Sequence, residues 1–180
     1  MRIQIRQFAI SALFIALAFV LSFVKIIHLP FGGSITLFSM LFASLPAYYF
    51  GVSYGFMASL TYSILQLIAA SYIVHPLQVV LDYIFAFGCF GVVAFFKDRK
   101  SGLQIGFVIA CIIRFLSSSI SGYVFFKEYT PQSWNPLVYT IVYNGGYIFV
   151  ECIITLVFLS VKQVNSIIER YKKSLNENII

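Results

Sequence analysis

Charge is scarce in this sequence. Lysine and arginine number 12 and aspartate and glutamate 6 among 180 residues, so 10% of the side chains are charged, against about a quarter in soluble domains. A water-covered globular surface is excluded. Histidine occurs only at His28 and His75, and neither has a carboxylate or nucleophile at catalytic spacing, which leaves an intramembrane enzyme without its machinery. Cys89, Cys111 and Cys152 stand in apolar segments, with no C-x-x-C pair and no histidine at ligand spacing. They read as buried thiols, with neither a disulfide framework nor a metal site indicated. No G-x-x-x-x-G-K-[ST] loop occurs, so the chain by itself cannot couple ATP hydrolysis to anything. Nothing in the pattern asks for a cofactor.

What fills the sequence is apolar: 61% hydrophobic residues and a mean hydropathy of +0.94. The chain reads as an integral membrane protein. The first apolar stretch, about 8–24, lacks a small-residue cleavage pattern and leads into further apolar segments, so it is expected to be a span and not a signal peptide. Segments of about 20 apolar residues cross a bilayer, and six meet or approach that: 7–27, 35–50, 54–73, 77–96, 103–126 and 137–162. The second and third are short, parted only by GVSYG (51–55). The expectation is a single all-α membrane domain of six transmembrane helices, with both termini on one side and a charged helical tail over 163–180.

If that side is the cytoplasm, its loops and ends carry Arg2, Arg6, Lys97, Arg99, Lys100, Lys162, Arg170, Lys172 and Lys173. The outer loops carry Lys25 and Lys127. This positive-inside bias sets both termini in the cytoplasm of a multi-pass plasma-membrane protein. It also accounts for the net charge of +6 without nucleic acid. Trp134, Tyr129 and Tyr72 fall near the expected outer ends, as interfacial aromatics do.

Depth estimated from the helical rise gathers several polar residues in the outer half. Asp82 lies two turns or less below the surface, and Gln78 precedes it by four residues on the same helical face. Tyr139, Tyr143 and Asn144 on the sixth span are at similar depth. So are Ser117, Ser118, Ser119 and Ser121 on the fifth, followed by Tyr123, Phe125 and Phe126. Apolar walls, aromatic faces and a few directional polar groups make a small-molecule pocket. A carboxylate among rings suits a flat cationic ligand. Arg114 and Glu151, near the middle of their spans, read first as an ion pair holding two helices in register, with a coupling or gating role as the alternative. Ala12 and Ala16, with Ala9 beside them, form a small-xxx-small face that lets another helix approach.

Four stretches, LPFGGSITL (29–37), YIVHPLQVVLDYIFAFG (72–88), SGYVFFKEYTP (121–131) and VYTIVYNGGY (138–147), together resemble the thiamine-specific S components of energy-coupling factor (ECF) transporters. The resemblance runs in order over nearly the whole chain. It implies a six-helix subunit that binds the vitamin tightly from outside. It implies as partners a transmembrane coupling subunit, against which Ala12 and Ala16 would dock, and two cytoplasmic ATPase subunits. It places Tyr72, Gln78, Asp82 and Tyr83 in the ligand pocket, with Asp82 where family members carry Glu or Asp. Tyr139 and Asn144 would face the aminopyrimidine, Phe126 would cover the thiazolium, and LPFGGS would be an outer loop that closes over the ligand.

The family's histidine four residues after the fifth-helix arginine is Ser118 here. Serine hydrogen-bonds but cannot stack on a heterocycle, which leaves open a thiamine precursor or analogue as ligand. A self-sufficient carrier using Arg114, Glu151 and Asp82 as a charge relay is the other alternative.

Overall fold

A computed structural model describes residues 2–70 and 72–177 of the chain. The side chain of Arg2 and residues 178–180 of the tail, both part of the expectations above, lie outside what is described. Helix α1 (Arg2–Ser22) leads into a small antiparallel hairpin of β1 (Lys25–His28) and β2 (Ser34–Thr36). Helices α2 (Ser39–Phe50), α3 (Val52–Ile68), α4 (Pro76–Phe96), α5 (Gly102–Phe125), α6 (Pro136–Ser160) and α7 (Lys162–Glu177) follow.

The hairpin is the main departure from the all-α expectation. It shortens the two spans beside it: the first stops at Ser22 instead of 27 and the second starts at Ser39 instead of 35; separately, the third ends at Ile68 instead of 73. The reason is local. Pro30, Gly32 and Gly33 punctuate KIIHLPFGGSIT, and the isoleucines on either side pair as strands, with Ile27 opposite Ile35 and His28 opposite Ser34.

Among the described residues, four helices are long and apolar enough to cross a membrane: α1 over Gln4–Ser22, α4, α5 and α6. Helix α2 has 12 residues and α3 has 17. At about 1.5 Å per residue α2 rises roughly 18 Å, well short of the ~30 Å hydrocarbon core. It is also the central helix, with ten of its 12 residues buried. Gly51, at φ +85°, makes the left-handed corner to α3 that a side chain would resist. Helix α1, by contrast, is exposed along most of its length, and Ala9, Ala12 and Ala16 lie on that exposed face.

Capping fixes where two pocket-bearing helices begin. Asn135 Oδ1 accepts the N–H groups of Leu137 (2.9 Å) and Val138 (3.4 Å) ahead of Pro136 at the first turn of α6. His75 Nδ1 accepts the Leu77 N–H (3.1 Å) ahead of Pro76 in α4. Within α4 the chain widens into a π-helical stretch over Val80–Phe85. There the Leu81 carbonyl accepts the Ala86 N–H and also the Ser117 hydroxyl at 2.7 Å, a type of bulge frequent at functional sites.

One end of the bundle is aromatic and closed by the hairpin. At the other end α7 packs on the C-terminal end of α2. Tyr48 hydrogen-bonds Glu169, Tyr171 meets Tyr49 edge-on at 5.4 Å, and the Lys172 ammonium sits 4.1 Å above the Tyr48 ring. Lys172 also donates to the Lys97 carbonyl at the end of α4. These contacts bring the α2–α3 corner, the α4–α5 corner and α7 to the same end. Most of the basic residues lie there.

Candidate functional site

Beneath the hairpin lies a cavity of about 180 Å³. Two helices present it with ladders at i, i+4 spacing, which one helical face repeats. Helix α5 and the turn after it give Arg114, Ser118, Gly122 and Phe126; α6 gives Tyr139, Tyr143, Tyr147 and Glu151. Helix α4 contributes Gln78, Asp82, Tyr83 and Phe87, and α3 contributes Tyr62 and Gln66. All eight residues expected to bind ligand, namely Tyr72, Gln78, Asp82, Tyr83, Ser118, Phe126, Tyr139 and Asn144, line it. Tyr123, Phe125 and Ser119 do not; Phe125 instead stacks on His75 at 5.0 Å.

Asp82 is held on one side. Gln78 Nε2 and the Ser121 hydroxyl each donate to its Oδ2 at 2.9 Å, and no described residue hydrogen-bonds Oδ1. Gln78, itself buried, is fully engaged, because its Oε1 accepts the Val74 N–H at 3.3 Å. Gln78 therefore orients the carboxylate and has little left for a ligand. Asn144 is similarly committed: its amide donates to the Thr140 (3.1 Å) and Ser118 (3.3 Å) carbonyls and accepts from Tyr147 Oη at 3.0 Å.

Aromatic rings close the mouth. Phe31 at the hairpin tip has φ 61°, a left-handed conformation that costs a side-chain-bearing residue about 1–2 kcal/mol. Its ring centroid lies 5.1 Å from Tyr129, 6.2 Å from Tyr72 and 6.4 Å from Phe126. Down α6, Tyr139 and Tyr143 stack at 6.0 Å, and Tyr147 meets Tyr143 edge-on at 5.8 Å. Tyr143 also holds the hairpin: its hydroxyl accepts the Gly33 N–H at 3.0 Å and donates to the Pro30 carbonyl. A Cβ at position 33 would lie 2.5 Å from that hydroxyl, so any other residue there would push the Tyr143 ring away and loosen the contact.

The expected ion pair is not formed. No nitrogen of Arg114 lies within 4.0 Å of a Glu151 oxygen. Glu151 is 3% exposed and accepts the Thr36 N–H (2.9 Å), the Thr36 hydroxyl (2.8 Å) and the Ser39 hydroxyl (3.4 Å). Arg114 lies instead over the ring of Phe87, 4.4 Å from its centroid, and 5.9 Å from that of Tyr147. Each group has found other partners, hydroxyls and an amide for the carboxylate and ring faces for the cation. Gln66 Nε2, Tyr62 Oη and Arg114 Nε are buried without a hydrogen-bond partner on the wall of a cavity with polar work to offer.

Sequence reasoning placed Phe31 only within the closing LPFGGS loop and missed Thr36, Ser39, Tyr62, Gln66, Tyr129 and Tyr147 as lining residues. For Tyr147 the signal was present, since it continues the four-residue step from Tyr139 through Tyr143 to Glu151. For the others, which arrive from the hairpin, α2, α3 and a loop, no spacing connects them to the rest. Among the described residues no group of three or more His, Cys, Asp or Glu side chains could hold a metal.

Comparison with known proteins agrees in direction. The family described as thiamine transporter protein (Thia_YuaJ) matches residues 8–169. The thiamine transporter ThiT of Bacillus subtilis (strain 168) is 29% identical over 150 residues, 74% of this chain and 78% of that protein. ThiT of Lacticaseibacillus paracasei is 28% identical over 120 residues, 59% of this chain and 60% of its own. The solved structure of ThiT from Listeria monocytogenes superimposes with a TM-score of 0.68 at 23% identity, covering 89% of this chain and 96% of that one. It supports the mostly helical fold.

Proposed function

The chain belongs to the thiamine transporter protein family, and from that premise we propose that it captures thiamine in the cavity beneath the hairpin, as the substrate-binding S component of an ECF-type importer. It is a transporter and not an enzyme, a multi-pass protein of the bacterial cell membrane. In this reading α1 to α6 all traverse the bilayer, with both termini and the basic end of the bundle in the cytoplasm. The exposed Ala12 and Ala16 face would dock on the transmembrane coupling subunit, and two cytoplasmic ATPases would supply the energy that this chain has no loop to harvest.

The observation that carries the ligand assignment is Asp82, a carboxylate in an aromatic cavity with both of its protein hydrogen bonds on one oxygen. A permanently charged thiazolium offsets such a group, because opposite charge in a poorly solvated site is strongly favourable. Phe126 and Phe31 would cover that ring and Tyr72 and Tyr83 would flank it. Tyr139 and Asn144 would meet the aminopyrimidine, Asn144 through its remaining acceptor capacity. Ser118 would leave room where a histidine ring would stack.

Titration of the purified chain with thiamine, its phosphates, its pyrimidine precursor and riboflavin tests this. The single tryptophan, Trp134, lies 6.1 Å from the pocket residue Tyr139 and provides a fluorescence readout. Thiamine is expected to bind most tightly, below micromolar. A better-binding competitor would overturn the specificity.

A further inference from the structure

Among the described residues, the hairpin meets the bundle through two sets of polar contacts, and both are on α6, eight residues apart. They differ in strength and in setting. At the tip, the half-buried Tyr143 hydroxyl touches Gly33 and Pro30. At the base, the buried Glu151 receives the N–H and hydroxyl of Thr36 and, more weakly, the Ser39 hydroxyl, and the two hydroxyls are themselves 2.6 Å apart. Hydrogen bonds to a carboxylate are roughly twice as strong as those between neutral groups, and shielding from water strengthens them further.

The base carries a second duty. Helix α2 begins without a cap of its own, because Phe38 at the cap position has φ 60° and offers no side-chain hydrogen bond. The start of a helix has unpaired N–H groups and a partial positive charge. Glu151 brings a carboxylate to that place from another helix. Loss of the base would therefore disturb both the hairpin and the start of α2, whereas loss of the tip would disturb the hairpin alone.

We propose that Glu151 is a positioning residue for ligand binding that acts through Thr36: it seats the base of the hairpin, so that the closing movement the family resemblance implies for this loop is confined to its Tyr143 end. The consequence for binding rests on reading the cavity as the ligand site. The hinge itself does not.

Residue-resolved amide hydrogen exchange on the ligand-free full chain in detergent micelles tests the hinge. Tyr143→Phe is expected to speed exchange of the Gly33 amide roughly tenfold, as two modest hydrogen bonds imply, and to leave the Thr36 amide protected. Glu151→Gln is expected to release both. If that variant does not fold, Thr36→Val, which removes the hydroxyl but keeps the amide, is expected to give the same pattern in weaker form. Release of Thr36 by Tyr143→Phe, or a Gly33 amide unchanged when the base is altered, would overturn the proposal. Rapid mixing with thiamine then tests the consequence. Tyr143→Phe should raise the association rate roughly tenfold; faster dissociation with an unchanged association rate argues against a flap. Failure of thiamine to bind, with the exchange pattern intact, leaves the hinge standing and removes the ligand reading.

Discussion

Asp82 and Glu151 line the same cavity from different helices, yet their surroundings assign them different work. Both hydrogen bonds to Asp82 fall on Oδ2 and come from neutral side chains. The bonds to Glu151 use both oxygens and come from the Thr36 N–H and the Thr36 and Ser39 hydroxyls, at the base of the hairpin and the start of α2. A carboxylate with an uncommitted oxygen can serve a ligand, and one with both oxygens taken serves the fold. The difference teaches that membrane depth and charge mark a residue as special without saying which role it has. That depends on what satisfies the group.

Substitution at each carboxylate separates the roles. The largest effect is expected from Asp82→Asn, which should weaken thiamine by about 2 kcal/mol, roughly thirtyfold in Kd, while a thiamine analogue with an uncharged ring loses about threefold or less; titration of both ligands measures the ratio. Equal losses would make Asp82 as structural as Glu151. Next, Glu151→Gln should lower stability by about 1–3 kcal/mol through the disrupted base of the hairpin and start of α2. A thermal melt followed by tryptophan fluorescence shows it, with a smaller loss of thiamine affinity than Asp82→Asn gives. Ser118→His supplies the ring that the pocket lacks, and a stacking contact of about 1 kcal/mol should tighten thiamine about fivefold. The smallest effect belongs to a residue far from both carboxylates. Lys172→Met removes the cation above Tyr48 and should cost about 0.5–1 kcal/mol of stability, leaving thiamine affinity unchanged.

Much of this arrangement was legible because helices repeat. The apolar runs located α4, α5 and α6 to within a few residues, and Asp82 announced itself as a charge among apolar neighbours. Depth along the sixth span put Tyr139, Tyr143 and Asn144 at the level of Asp82. The family resemblance added Tyr72, Phe126 and the closing loop. What remained hidden was whatever depends on contacts between elements. Arg114 and Glu151 looked like partners because two opposite charges at similar depth ordinarily pair. Thr36 and Ser39, the actual donors to Glu151, resemble any other hydroxyls in the sequence. The hairpin was absorbed into neighbouring spans because Ile26, Ile27 and Ile35 contribute to hydropathy as strongly in a strand as in a helix.

The three thiols, all within the bundle core, have a practical consequence for work on this protein. Cys89, Cys111 and Cys152 are at most 6% exposed, so a maleimide dye finds almost nothing to label on the native chain. A cysteine introduced at the hairpin tip, for example Phe31→Cys, would be the reactive position on an otherwise silent surface. A spin label or fluorophore could then be attached there without first stripping the protein of its own sulfur.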